Sequence, residues 1–388
     1  MTRHHRRSML LACALLATPL LPIGADAQIA ISANDNKAIL VNGVTLVADN
    51  PAPDSIDIID LSATPPKVVG SLKAPASVVG PPQSVAITRD ESLALVTGAF
   101  KLDPADPKKV VPDDALSVID LKANPPVVIA TLQAGKGAAG VSINRAGTLA
   151  LVANRNEGTV SVFTISGKTV TPAGKIDFGD AKSGPCLAAF TPDGKMALVT
   201  RDGDHKISLL SIDGDKVTDT KKYMVGGYRP YSMEISAKGD VAVVGNQGGG
   251  QGDADVINVI DLKADRPRVV DTISVGQTPE GVAMSGDGAY VAVTVMNGSN
   301  RPKDHPAFND SGLLQVYSVT GTKLAKVAEA KVGHWCQGAA GSKDNKTVVV
   351  QCMIEKNLQA FGFDGKALTP SGTVALSGGG AGLRTAEQ

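Results

Sequence analysis

Aromatic side chains, surplus charge and sequence motifs of known chemistry are all scarce in this chain of 388 residues. Aromatic residues make up 3% of it and include one tryptophan, which argues against a polysaccharide-binding surface of stacked rings. Lysine plus arginine number 38, as do aspartate plus glutamate, so no net field favours nucleic acid or an anionic membrane. Cys-x-x-Cys, His-x-His and Gly-x-Ser-x-Gly are also absent, so no short motif specifies a metal, haem or serine-hydrolase site.

A long apolar run occurs only near the start, from Met9 to about Leu21. It follows three arginines and ends before the small-residue stretch at 25–27, which is typical of a secretory signal peptide. The run is shorter than the roughly 20 residues that span a bilayer. Residues 1–27 are therefore predicted to be cleaved, leaving a periplasmic domain of residues 28–388 that is monomeric and has no membrane span.

A segment of apolar strand, polar turn and second apolar strand recurs seven times, at intervals of 45 to 57 residues between the turn centres. Self-similarity with a period near 50 residues is typical of propellers and other repeat architectures. The copies are IAISANDNKAILV (29–41), SVAITRDESLALV (84–96), GVSINRAGTLALV (140–152), LAAFTPDGKMALV (187–199), SMEISAKGDVAVV (232–244), GVAMSGDGAYVAV (281–293) and GAAGSKDNKTVVV (338–350).

Each copy is followed by two more runs rich in β-branched residues, such as TVSVFTI at 159–165, and no mature segment has a helical apolar period. Four strands in each of seven copies predict an all-β, seven-bladed β-propeller of four-stranded antiparallel blades. Because the first copy begins at an apparent innermost strand, we expect little strand exchange between the termini. The tail at 377–388 could still add to or cap an edge.

Two phrases resemble the YVTN-type repeat β-propeller family. LVANRNEGTVSVF at 151–163 is similar to the end of that repeat's second strand and its third strand, and TPEGVAMS at 278–285 is similar to its first. The resemblance implies the propeller fold over essentially all of the mature chain. It also implies relatives among exported propellers without an assigned role and among lactonase-like or cycloisomerase-like enzymes, although no catalytic motif matches residue by residue.

The four strands of a blade are named A to D from the tunnel outward, so the D–A and B–C connections share one face of the ring. Every histidine after residue 27, the one tryptophan and four arginines fall on this face, which predicts a ligand site there, as on other rigid scaffolds. The alternative is that polar residues simply favour loops. The candidate ligand-binding residues are Arg155, Arg201, His205, Arg229, Tyr231, Asn246, Glu280, Asn297, His305, His334 and Trp335.

Our first hypothesis for function is a binding or scaffold protein that recognises a small molecule or a periplasmic protein on this face. The alternative is a lactonase-like hydrolase or isomerase, with Glu280 or His334 as general base and Arg229 or Arg201 holding a carboxylate or oxyanion. Glu280 and Arg229 could instead form a structural ion pair. A redox subunit would need a bound cofactor, and the sequence identifies none.

Three cysteines follow the predicted cleavage point: Cys186, Cys336 and Cys352. Cys336 and Cys352 flank one turn almost symmetrically, so an exported protein can join them across two strands, and two buried thiols are the alternative. Cys186 would then remain unpaired. No metal site is predicted, because the three histidines come from different blades without ligand spacing.

Overall fold

The structure, a computed structural model, describes residues 28–386; the predicted signal peptide, 1–27, lies outside this range. Seven four-stranded antiparallel sheets form a ring around a central tunnel, which confirms the predicted seven-bladed β-propeller. Between residues 28 and 386 the helical structure is one turn of 3-10 helix at Ala181–Ser183. No helix in that range is long and apolar enough to cross a membrane.

The strands of each blade are given in the order A, B, C and D. Blade 1 contains Gly379–Thr385, Ile29–Asp35, Ser55–Asp60 and Lys67–Lys73; blade 2, Val85–Ile87, Leu93–Leu102, Val110–Asp120 and Val127–Gln133; blade 3, Ala138–Ile143, Leu149–Asn154, Thr159–Ser166 and Thr169–Asp177; blade 4, Pro185–Phe190, Met196–Arg201, Lys206–Asp213 and Lys216–Met224. Blade 5 contains Pro230–Ile235, Val241–Asn246, Asp255–Asp261 and Arg268–Gly276; blade 6, Pro279–Met284, Tyr290–Val295, Gly312–Thr320 and Lys323–Val332; blade 7, Cys336–Gly341, Thr347–Cys352, Asn357–Phe363 and Leu368–Ala375.

Blade 1 corrects the expectation of little strand exchange between the termini. Its innermost strand is Gly379–Thr385 from the C-terminal end, which pairs antiparallel with Ile29–Asp35, so the two ends of the chain close the ring together. The segment 29–35 is therefore strand B rather than strand A. The next apolar run pairs within a separate two-stranded hairpin, Ala38–Val41 with Val44–Val47, here called the blade 1 hairpin.

The closing strand, Gly379–Thr385, is rich in glycine, which has low β-propensity. It therefore lacks the apolar alternation by which the other strands are predicted. Glycine is needed there because neighbouring side chains approach the backbone closely. A Cβ at Gly380 would overlap the side chain of Gln351, and one at Gly382 would overlap Ser84. The small residues thus let the last strand fit between blades 7 and 2.

Apolar packing lies between adjacent blades rather than around the tunnel axis. Seven clusters of buried residues each join one blade to the next; for example, Ile31 and Ile56 of blade 1 pack with Val85 of blade 2. Strand alternation turns successive side chains toward the two neighbouring blades: Ile29 and Ile31 pack toward blade 2, and Ala30 packs toward blade 7. The mouth can consequently carry polar residues without weakening the core.

The blade 1 hairpin reaches across the loop face of the ring. Lys37 at its base is buried and pairs with Asp54 at 2.8 Å, and Gly43 at its tip lies against Pro302 in the B–C loop of blade 6. Leu40, in the first strand of the hairpin, packs against an apolar cluster that includes Trp335. The hairpin therefore covers part of the tunnel mouth.

Candidate active site at one mouth of the tunnel

Three positions of the repeat define the mouth on the D–A and B–C face. In blades 3 to 7 the residue before strand A has a positive φ, and its carbonyl accepts a hydrogen bond from the residue after strand B. The second residue of strand A is the third position. The residue before strand A, the second residue of strand A and the residue after strand B are given in that order for blades 3 to 7: Gly137, Ala139 and Arg155; Gly184, Cys186 and Asp202; Arg229, Tyr231 and Gln247; Thr278, Glu280 and Met296; and Trp335, Gln337 and Met353.

Residues at these positions, together with Val78 and Ala381, form two chemically different halves of the mouth. The polar half comprises Arg155, Asp202, Arg229, Tyr231, Gln247 and Glu280, which interact as described below. The apolar half comprises Val78, Met296, Trp335, Met353 and Ala381, which form one buried cluster.

Asp202 links the two arginines of the polar half. Its carboxylate accepts hydrogen bonds from Arg155 and pairs with Arg229 at 3.3 Å. The Arg155 guanidinium also lies 5.7 Å from the centroid of the Tyr231 ring. Two cations share one carboxylate, so the group can hold an additional negative charge, and arginine suits planar carboxylate recognition.

Glu280 is the second residue of strand A in blade 6 and is almost completely buried. One carboxylate oxygen accepts a hydrogen bond from Gln247 Nε2 at 2.8 Å, while the other, Oε2, has no partner among residues 28–386. Burial raises the pKa of Glu280 to about 7, although the Gln247 hydrogen bond, Arg229 and Arg155 oppose that shift. A carboxyl group with this pKa can take up and release a proton near neutral pH.

Tyr231 and Cys186 stay protonated beside this carboxylate. Burial raises the pKa of Tyr231 well above 10, and the Glu280 charge raises it further. Burial likewise raises the pKa of the Cys186 thiol. A phenol in this state can donate a hydrogen bond, whereas a thiol without thiolate character is a poor nucleophile. Glu280 is therefore the group of the polar half best suited to proton transfer.

Two of the predicted residues, Arg201 and Asn246, lie within blades instead. Arg201 donates to Ser208 on strand C at 3.0 Å, pairs with Asp204 and covers the Phe178 ring. Asn246 donates to Asn258 on strand C at 2.9 Å. Asn34 and Asn154 make the same type of contact, with Asp57 and Ser161, at the end of strand B in their own blades. This recurring bond pairs strands B and C and explains the asparagine of the repeat.

Three further candidates have local partners in the loops. The His205 ring packs at 4.2 Å from the Tyr228 ring. Asn297 donates to the Ser311 carbonyl at 3.0 Å, and His305 Nδ1 accepts from the Ala307 amide at 3.1 Å. These contacts order the long loops of the face and do not join the polar half.

His334 and Trp335 are adjacent in sequence but occupy different surroundings. His334 Nδ1 lies 2.7 Å from Glu355, and its Nε2 lies 3.2 Å from Asp310. Partial burial lowers the pKa of His334, but these hydrogen bonds outweigh it and bring the pKa above 6.5. Trp335 packs in the apolar half, where its Nε1 has no hydrogen-bond partner among the described residues.

Blade 7 contains a disulfide between Cys336 and Cys352, and Cys186 is a buried free thiol. In the described range, the side chains close enough together to share a metal ion are those two cysteines and Glu355. The disulfide removes both thiolates as ligands.

The polar half is a closely packed group rather than an open pocket. Asp202 and Glu280 are buried, and Arg229, with 33% of its side chain exposed, is the member that meets solvent most. A separate cavity of about 100 Å³ lies at the opposite mouth, where Arg384 pairs with Glu234 across the tunnel. We place the candidate site at the polar half, because proton transfer and anion binding require the groups found there.

No protein-family model matches the chain, and no curated protein matches it. Among solved structures, it is similar to a functionally unknown protein from Desulfotomaculum acetoxidans DSM 771, with a TM-score of 0.69 and 17% identity over 93% of this chain and 99% of that one. It is similar to a protein of Bacteroides fragilis NCTC 9343 provisionally described as a 6-phosphogluconolactonase, with a TM-score of 0.68 and 17% identity over 94% and 99% of the two chains.

A third similar structure is the periplasmic gluconolactonase of Pseudomonas aeruginosa, with a TM-score of 0.69 and 15% identity over 93% of this chain and 99% of that one. Identities this low establish a shared fold and leave the YVTN-type resemblance unconfirmed. The chain is thus a seven-bladed β-propeller whose structural neighbours include lactonase-like proteins.

Proposed function

We propose that this protein hydrolyses a lactone at the polar half of the mouth. The observation that carries the proposal is the buried Glu280 carboxylate, with one oxygen unpartnered and a pKa of about 7, in the electrostatic field of Arg155 and Arg229. Propellers of similar fold that are described as gluconolactonases support this reaction class. The binding or scaffold hypothesis gains no support from the comparisons.

In the proposed reaction, the Glu280 carboxylate takes a proton from water as the water oxygen bonds to the lactone carbonyl carbon. The guanidinium groups of Arg229 and Arg155 stabilise the negative charge that forms on the carbonyl oxygen. Cleavage of the ring C–O bond then releases an alkoxide, which receives the proton from Glu280. The product is the open hydroxy acid, whose carboxyl group releases its proton to solvent, and the resulting carboxylate pairs with an arginine before release.

The test is hydrolysis of glucono-1,5-lactone and its 6-phosphate, followed by acid release at constant pH and corrected for the spontaneous rate. Glu280→Gln keeps the size of the side chain but removes the base, so kcat should fall by about 100-fold or more. Wild-type turnover in Glu280→Gln, or no turnover of a lactone panel by the unaltered protein, would overturn the proposal.

We also propose export, on the basis of the sequence at residues 1–27. Cleavage after Ala27 would make Gln28 the first residue, and its side chain binds the Gly341 carbonyl and the Lys343 amide. N-terminal sequencing of protein recovered from the periplasm tests the cleavage point, and a chain that retains Met1 would contradict it.

A further inference from the structure

A groove separate from the polar half lies between the blade 1 hairpin and the long hairpin formed by strands B and C of blade 2. It encloses about 300 Å³, the lower end of the range typical of small-molecule sites. Leu46 and Val110 are more than one-third exposed, which is unusual for apolar side chains that share a groove. The apolar lining includes Leu46, Val47, Val79, Phe100 and Val110.

Charge is distributed unevenly along this groove. Lys37 is buried at the base of the blade 1 hairpin between Asp35 and Asp54, so this end of the groove has two carboxyl groups for one ammonium group. Lys108 and Lys109 line the groove from the tip of the blade 2 hairpin and are exposed. Lys109 pairs with Asp106 at 3.0 Å, so the two lysines together retain positive charge. The groove therefore combines apolar walls with a cationic end.

We propose that this groove binds an amphipathic carboxylate of the medium-chain fatty acid type. The alkyl chain lies between Leu46, Phe100 and Val110, where its burial removes apolar surface from water. The carboxylate faces Lys108 and Lys109 at the exposed end. This site does not depend on the proposed lactone hydrolysis, because none of its lining residues belongs to the polar half.

Trp335 provides a built-in reporter of this binding. It is the one tryptophan of the chain, and Ala38 and Val79, which line the groove, also pack against its cluster. Titration with decanoate should give a saturable change in tryptophan emission, and calorimetry should give the same dissociation constant. Shortening the chain to octanoate should weaken binding by about 15-fold, since each buried methylene contributes about a fourfold change. Decanol should bind more weakly than decanoate.

Leu46→Asp should abolish decanoate binding, because it places a carboxylate in the apolar wall. Ile129→Asp is the matched control: Ile129 is 42% exposed and Leu46 46% exposed, and Ile129 lies on the outer strand of blade 2, away from the groove. A Lys108→Glu, Lys109→Glu double variant should weaken decanoate binding but leave decanol binding unchanged. Circular dichroism checks that each variant is folded.

Calorimetry detects decanoate binding even if the tryptophan emission does not change. The two measurements together therefore show whether decanoate binds. The proposal is overturned if neither method detects decanoate, or if decanol binds as tightly as decanoate. It is also overturned if Leu46→Asp binds decanoate as the unaltered protein does, or if Ile129→Asp loses binding to the same extent.

Discussion

The polar and apolar halves of the mouth occupy equivalent positions of the repeat and carry opposite chemistry. Arg229 and Trp335 each precede strand A, with φ of 61° and 49°. Gln247 and Met353 each follow strand B and donate a backbone hydrogen bond to the carbonyl of Arg229 or Trp335. The backbone of the repeat therefore places the Cα atoms of these residues in equivalent positions in each blade. The residues around them determine whether the side chains form ion pairs or pack in an apolar cluster.

The two halves of the mouth differ in side-chain packing as well as in residue composition. In the apolar half, Met296 and Met353 are almost fully buried against Trp335. In the polar half, Glu280 retains an unpartnered oxygen, and Arg229 remains partly exposed to solvent. An unsatisfied buried polar atom costs stability in either half, and Trp335 Nε1 is one in the apolar half, but the close apolar packing there contributes stability. One half of the mouth thus stabilises the ring, and the other is suited to chemistry.

The largest expected effect is on stability, from Trp335→Ala in the apolar half. Removing a buried indole from a packed cluster should lower the free energy of unfolding by about 3–5 kcal/mol. Urea denaturation followed by circular dichroism measures this without the lost fluorophore. Trp335→Phe is the control and should recover much of the loss. A cost below about 1 kcal/mol for the alanine variant would show that this half is not a packed unit.

In the polar half, Glu280→Gln should raise stability while it removes activity. Burial raises the pKa of Glu280 from 4.5 to about 7, so the folded state holds the proton more tightly than the unfolded state. Stability of the unaltered protein therefore falls as pH rises from about 4.5 to about 7, and stays lowered above that range. Glutamine lacks this cost.

The glutamine variant should consequently be more stable by about 3 kcal/mol at about pH 8 and nearly equal to the unaltered protein at about pH 4. Urea denaturation of both proteins across this pH range gives the comparison. A stability difference that does not change with pH would contradict the buried, proton-binding role of Glu280.

The alternation of strands explains which site residues could be predicted from the sequence. The sequence predicts Arg229, Tyr231 and Glu280 because they enter strand A from a D–A loop, and Arg155 because it begins a B–C loop. The sequence predicts Arg201 and Asn246, whereas their neighbours Asp202 and Gln247 interact in the polar half. Successive side chains of a strand point to opposite sides, so Arg201 and Asn246 reach strand C while the next residue faces the mouth. Asp202 and Gln247 each lie one residue past the last residue of strand B, which is Arg201 in blade 4 and Asn246 in blade 5.

The fold was predictable for the same reason wherever apolar alternation was strong. Six of the seven predicted strand A–turn–strand B copies match the structure, and the exception is the first. Its innermost strand comes from Gly379–Thr385, whose glycines carry no apolar pattern. The fit of that strand depends on side chains such as Gln351 and Ser84, which lie far away in sequence.

Arg229→Gly removes the guanidinium group but keeps the positive φ, so it distinguishes the contribution of the side chain from that of the backbone conformation. Glycine accepts the positive φ, so the free energy of unfolding should change by less than about 1 kcal/mol. If Arg229 stabilises the developing oxyanion, kcat/KM for lactone hydrolysis should fall by about 100-fold. Thr278→Gly alters the equivalent position of blade 6, where φ is 55°, and should retain activity. Equal losses in the two variants would indicate a backbone effect and remove Arg229 from the site.

The smallest expected effect belongs to His334, which lies on the same face but outside both halves. Its raised pKa means that the folded state favours the imidazolium form held by Glu355 and Asp310. This stabilisation is complete below the unfolded pKa of about 6.5 and is lost as pH rises through the higher folded value. Because about a third of the side chain is exposed, solvent screening limits it to less than about 1 kcal/mol.

His334→Gln should therefore lower Tm slightly at about pH 5.5 and leave it unchanged at about pH 8.5, where the imidazole is neutral in both states. Lactone hydrolysis by this variant should match the unaltered protein, because both ring nitrogens are engaged by carboxylates away from Glu280. Thermal unfolding and kcat at the two pH values measure both effects. A large loss of kcat with unchanged Tm would reverse the assignment, making His334 the general base and Glu280 a structural carboxyl group.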